Sequence, residues 1–292
     1  MKLLTISLAA ILGAGLLPAA PFDIETSFGD LKGAVEKKDA ATVKKLAVEL
    51  SAETRQAAAE AAPADASEKE AWQSRINRAK EVGLYTEYAL YATAVQAEPA
   101  VMADLLAELE QQNPKSKYLE DAYGPYFVAL TKSGSASKVN GVAEKALGNW
   151  PGNPDLLLVL ADSAYQGKKY DRAATLGNRL IAAAGKKSKP GLLGHAYFIT
   201  GMSYYLENNF INADRTLRAG LPSLKGSDET TQATALYGLC VSDYQQGRQS
   251  LNKALMLEGA NFCEQASKLK SPVAQQAWSN AHMIRAEAER KR

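Results

Sequence analysis

Residues 197–222 read YFITGMSYYLENNFINADRTLRAGLP. Single small residues, Gly201 and Ala213, sit here between bulky ones at fixed offsets. Tyr197 and Tyr204 flank Gly201, and Phe210 and Leu217 flank Ala213. Steps of three and four residues place side chains on one stripe of an α-helix. The stretch therefore reads as two antiparallel helices. A small residue on each lets the backbones come close enough to exclude water, and the large residues fill the flanks. Each large side chain so buried contributes about 1.5–3 kcal/mol. One pair cannot bury its apolar face alone, so further pairs are expected on either side.

They recur along the chain. Ala89, Tyr123, Leu157, Tyr197 and Tyr237 are separated by 34, 34, 40 and 40 residues. Thr93, Phe127, Ala161, Gly201 and Val241 lie four residues beyond them. Gln96, Leu130, Ala164, Tyr204 and Tyr244 lie seven beyond. A second helix is expected after each first one, anchored by Leu105 with Leu109, Val139 with Ala143, Ala173 with Gly177, and Ala213 with Leu217. In the last unit, 251–269, Lys253 stands where an Ala is expected, with Ala254 next to it. Pro and Gly punctuate the units at NPKSK (113–117), WPGNP (150–154), GKKSKPG (185–191) and KGSD (225–228). No run alternates with a two-residue period, so no strand is expected and the chain reads as all-α.

A repeated helix–turn–helix unit with this order of residues resembles the tetratricopeptide repeat. Tyr197 resembles its early aromatic, Thr200-Gly201 its Leu-Gly pair, and Tyr204, Phe210 and Ala213 its next three places. Tyr170 and Ala173, inside GKKYDRA, fill equivalent places one unit earlier. The match is good in the two central units and degenerate at both ends, and the 40-residue spacings imply longer loops between repeats. The resemblance implies an α-solenoid of antiparallel helix pairs over residues 84–270, with the first helix of each pair lining a concave face. By this register the residues facing a partner include Asp121, Gly124, Val128 and Thr131, then Asp155, Leu158, Asp162 and Tyr165, then His195, Phe198, Met202 and Tyr205. Aromatic anchors on a partly apolar face suit a protein or peptide partner.

The flanks read differently. Lys2 precedes an apolar run from Leu3 to Leu17, and Ala19 and Ala20 follow. This is the layout of a cleavable signal peptide over residues 1–20, with a periplasmic or secreted mature protein; an uncleaved anchor is the alternative. No later segment is apolar enough to span a membrane, and none is expected after cleavage. Residues 21–83 read as N-terminal helices, with Leu31, Val35, Val43, Leu46 and Leu50 at helical spacing and KKD at 37–39 as a turn. Ser67 and Glu70 form a capping-box pattern ahead of a helix carrying Trp72, Ile76 and Val82. Residues 271–292 read as a capping helix with Val273, Ala277, Trp278, Ala281 and Ile284 turned inward.

Lys and Arg number 34 against 32 Asp and Glu, a balance that argues against a general nucleic-acid binder. The paired lysines at 37–38, 44–45, 168–169 and 186–187 are scattered and read as solvated surface. The sequence holds two histidines, His195 and His282, and no HExxH, P-loop or GxSxG pattern. No catalytic residue, cofactor or metal is therefore expected; Asp155 and Asp162 could do acid–base work, but no partner nucleophile is evident. Cys240 and Cys263 are open to two readings. Export would permit a disulfide, whereas a free Cys on an apolar helical face behaves as a small hydrophobe. The expected function is that of a non-enzymatic interaction module or scaffold; a structural subunit of a cell-envelope assembly is the alternative, and an enzyme with an unrecognised site a remote one.

Overall fold

The computed structural model describes residues 23–184 and 190–290. The expected signal segment and most of the loop at 185–191 lie outside them. The described regular structure is helical, with no strand: α1 (Ile24–Glu36), α2 (Ala40–Ala58), α3 (Lys69–Ala94), α4 (Pro99–Gln112), α5 (Lys117–Glu120), α6 (Tyr123–Lys132), α7 (Val139–Leu147), α8 (Pro154–Gln166), α9 (Tyr170–Ala184), α10 (Pro190–Leu206), α11 (Phe210–Leu224), α12 (Glu229–Gln249), α13 (Lys253–Ser267) and α14 (Ala274–Arg290). The chain divides into two compact units, up to Thr86 and from Glu87, so the boundary falls inside α3.

In the first unit α1 and α2 pack on each other. Leu31 and Ala34 of α1 and Val43, Ala47 and Leu50 of α2 are buried, whereas Val35 and Leu46 are only partly so. Arg78 holds both carboxylate oxygens of Glu25, at 2.8 and 2.7 Å, with its guanidinium over the Phe28 ring. The expected Ser67–Glu70 capping box does not form. Instead the Asp65 carboxylate accepts from the Ser67 N–H and starts a 3-10 turn at Ala66–Glu68 that runs into α3.

In the second unit helices pack in sequence order from α6 to α14, each against the next. One turn recurs where a first helix hands over to a second. Three residues separate α8 from α9, α10 from α11 and α12 from α13, and the middle one is left-handed: Lys168, Asn208 and Leu251, at φ 57°, 60° and 56°. The N–H of the next residue reaches back five positions, Lys169 to Ala164 O, Asn209 to Tyr204 O and Asn252 to Gly247 O. This is the Schellman closure, which satisfies helix carbonyls that would otherwise lack partners. Lys38, at φ 56° between α1 and α2, and Gly134, at φ 78° after α6, close their helices in the same way. Asn209 and Asn252 then cap the second helix, accepting from the N–H groups of Asn212 and Leu255. The resulting repetition is a backbone property, shared by turns as unlike in sequence as GKK, ENN and SLN.

The seams follow from small residues. A Cβ on Gly201 would stand 2.5 Å from Leu217 Cγ and 3.2 Å from its backbone nitrogen, so α10 and α11 touch where only glycine fits. Ala213 and Leu217 are fully buried opposite. In the last pair the register differs from the 40-residue period. Lys253 and Ala254 are exposed, while Met256, Ala260 and Cys263 are buried. Counted from the left-handed turn residue, Met256 and Ala260 occupy the places of Ala213 and Leu217. The reason is a longer α12, 21 residues against 17 in α10, which delays the turn. Cys263 is thereby brought to Cys240, with Cα atoms 5.2 Å apart, and the two form a disulfide inside a cluster completed by Ala277, Ala281 and Ile284 of α14. Trp278 does not join that cluster: it is 59% exposed and tilts over His282 one turn on, because Ala277 and Ala281 take the inward stripe of α14.

Candidate functional site

In the second unit the first helices touch one another as well as their partners: α6 meets α8, α8 meets α10, α10 meets α12, and α12 meets α14. They form one face on which the sequence-predicted site residues can be located. Asp121 is exposed, at the junction of α5 and α6. Asp155 lies in the first turn of α8, whose N-cap Asn153 accepts from the Asp155 and Leu156 N–H groups. Its carboxylate rests against α6 at Gly124, where an added Cβ would meet Asp155 Oδ2 at 2.8 Å. Between these helices lies an open cleft of about 590 Å³, lined by Asp121, Val128, Asp155 and Leu158 among others. Thr131, beyond the cleft, spends its hydroxyl on the Phe127 carbonyl.

Further along the same face, Asp162 of α8 meets His195 of α10, with Oδ1 3.4 Å from Nε2. The sequence offers His195 no acid at helical spacing on its own helix; the partner comes from the neighbouring one. Tyr165 packs edge-on to Phe198, ring centroids 6.3 Å apart. Burial pushes the Tyr165 and Tyr205 phenols up from the ordinary tyrosine range. Phe198 and Tyr205 are half-buried against a cluster of Leu217, Leu224, Ala235 and Leu239. Met202 is part of that cluster and only 4% exposed. It is a core residue, contrary to its expected place on the surface: it lies where α12 approaches at Gly238, with Sδ 2.9 Å from a Cβ built there.

A second constellation escaped sequence reasoning. Arg218 of α11 contacts Asp214 of its own helix at 2.8 Å, Asp243 of α12 at 3.0 Å and Glu258 of α13 at 2.6 Å. Its guanidinium lies 5.1 Å from the centre of the Phe262 ring. Asp243 is fully buried, and its Oδ1 has no hydrogen-bond partner. Burial, reinforced by the nearby Asp214 carboxylate, pushes the Asp243 carboxyl up to about 7, against the pull of Arg218. Only the Asp214–Arg218 spacing of four was visible in sequence; the rest depends on three helices meeting. This cluster ties α11, α12 and α13 together. Among the described residues no group of three or more His, Cys, Asp or Glu is placed to hold a metal ion. No described helix is long and apolar enough to cross a membrane. A scan against protein-family models matches none, and a search of curated proteins finds no relative.

Proposed function

We propose that this chain is an exported, non-enzymatic scaffold that binds a protein or peptide partner across the first helices of a tetratricopeptide-like solenoid. The observation that carries the reading is the run of contacts from α6 through α8 and α10 to α12. It presents the α6–α8 cleft, the Asp162–His195 pair and the half-buried Tyr165, Phe198 and Tyr205 on one surface. In such a solenoid this surface is the concave one, and residues 271–292 close its end. The Cys240–Cys263 disulfide supports the export part of the reading, because disulfides persist in oxidising compartments. The test is photo-crosslinking in an extract of the compartment, with a photo-reactive residue replacing Tyr205 and again in a Phe198→Ala/Asp162→Ala background. One partner captured at Tyr205 and lost in that background is expected. Equal capture in both would remove this surface from consideration.

Trp278, exposed and tilted over His282 with exposed Met283 beside it, supports the alternative of a subunit that assembles through its last helix. Light scattering on Trp278→Ser separates the two readings: a change of mass favours assembly through α14.

A further inference from the structure

We infer that the α12–α13 seam couples a disulfide to a proton: reduction of Cys240–Cys263 releases the proton held by Asp243, and ionisation of Asp243 makes the disulfide easier to reduce. The two groups are neighbours on both sides of the seam. Cys240 and Asp243 are three residues apart on α12, on one stripe. Opposite them, Gly259 and Cys263 are four apart on α13. The α13 backbone at Gly259 lies on this stretch of α12: a Cβ built there would stand 2.7 Å from the Cys240 carbonyl oxygen and 3.1 Å from Asp243 Cβ. One close approach thus holds the cysteines within bonding range and shuts water away from the carboxyl. Both cysteines and Asp243 are fully buried.

Asp243 has little with which to hold a charge. It shares Arg218 with Asp214 and Glu258, so three carboxylates meet one guanidinium, and its Oδ1 has no hydrogen-bond partner. Among the described residues these are the charged groups that face it, Asp214 and Arg218 from α11 and Glu258 from α13. The sequence of α10 contains no Asp, Glu, Lys or Arg, and its His195 meets Asp162 of α8. From α14, Glu287 meets Tyr244 and Arg248 instead. Burial and the Asp214 carboxylate therefore favour the protonated form of Asp243.

Reduction breaks the Sγ–Sγ bond. A dithiol supplies two electrons and two protons, is itself oxidised to a disulfide, and leaves two cysteine thiols. Those thiols must stand at van der Waals separation, about 3.5 Å or more, inside a close-packed cluster of Met256, Ala260, Ala277, Ala281 and Ile284. The seam therefore opens, Gly259 moves off α12, and water reaches Asp243. Hydration favours the carboxylate, and the proton leaves to solvent. Linkage makes the effect reciprocal. Thiols buried among apolar groups stay protonated through neutral pH, so the carboxyl is the group that makes reduction depend on pH.

The experiment equilibrates the full chain with reduced and oxidised dithiothreitol, from both directions, between about pH 5 and about pH 7.5. The reduced fraction is read by alkylation and mass spectrometry. The equilibrium constant for reduction is expected to rise about fivefold over that range, the change produced when reduction makes the carboxyl about tenfold more acidic. Asp243→Asn should abolish the rise. Asp214→Asn, which removes the carboxylate that reinforces the proton, should keep the rise but shift it to lower pH, and it decides the matter if Asp243→Asn does not fold. Circular dichroism of the reduced chain should retain the helical signal. A wild-type constant independent of pH overturns the inference. So does an equal rise in Asp243→Asn, an unshifted rise in Asp214→Asn, or global unfolding on reduction, which would hydrate every group and not this one.

Discussion

The α10–α11 pair and the α12–α13 pair share one turn geometry and one packing order, yet they are closed by different chemistry. In the first, Gly201 lets the Leu217 side chain and backbone come within contact, and the seam holds by fit. In the second, Gly259 admits the Cys240 carbonyl, and the seam carries a disulfide and a buried Asp243 facing Arg218. What the helices require is close approach at a few points. A close-packed leucine, a covalent bond and a neutralised carboxyl all satisfy that requirement.

The sharpest way to break the comparison is to crowd the apolar seam. Gly201→Leu places a branched side chain where no space exists, and we expect a loss of about 3 kcal/mol or more, read as a large drop in melting temperature. Next in size is the covalent seam. Cys240→Ala/Cys263→Ala opens a loop spanning 23 positions and should cost about 3 kcal/mol by loop entropy, measured by urea unfolding under oxidising conditions. Reductant should then shift the wild type and leave the variant unmoved.

The polar part of that seam is tested by pH. Asp243 is raised when folded, from an ordinary 3.8 to about 7. The folded chain therefore binds more protons than the unfolded chain, and this group's contribution is full below about pH 4 and lost as pH rises toward 7. The groups facing it are Asp214 and Arg218 from α11 and Glu258 from α13. Asp243→Asn removes the titration. Relative to wild type, its melting temperature should gain between acidic pH and pH above 7; a constant difference would show that Asp243 does not titrate there.

The smallest effect comes from the shared turn. Leu251 adopts a left-handed backbone, which costs a non-glycine residue about 1 kcal/mol, and its side chain is 77% exposed. Leu251→Gly should therefore stabilise slightly, by about 0.5–1 kcal/mol by thermal melting. A loss would mean that the Leu251 side chain packs on something.

The central pairs were legible because their seams use residue size, which sequence displays directly. Gly201, Ala213 and Leu217 sit where their spacing put them. The last pair was not, because its register depends on how far α12 runs before its turn. The turn residue there, Leu251, carries none of the Gly or Asn signal that marks a left-handed position. Trp278 misled for a related reason: hydrophobicity favoured the inside, whereas close packing of α14 against α13 favoured Ala277 and Ala281. Met202 followed the expected helical face, but the approach of α12 at Gly238 covered it. The Asp162–His195 contact and the α6–α8 cleft arise between helices 33 or so residues apart in sequence, beyond the reach of single-helix spacing.

The claim on which the rest depends is that α10 and α11 meet at Gly201 and Leu217. A double-mutant cycle in thermal or urea unfolding tests it with Gly201→Leu, Leu217→Ala and the pair together. Because the two side chains would compete for one space, Leu217→Ala should recover a substantial part of the loss caused by Gly201→Leu, giving a coupling of about 1 kcal/mol or more. Losses that simply add would place the two residues apart and contradict the seam.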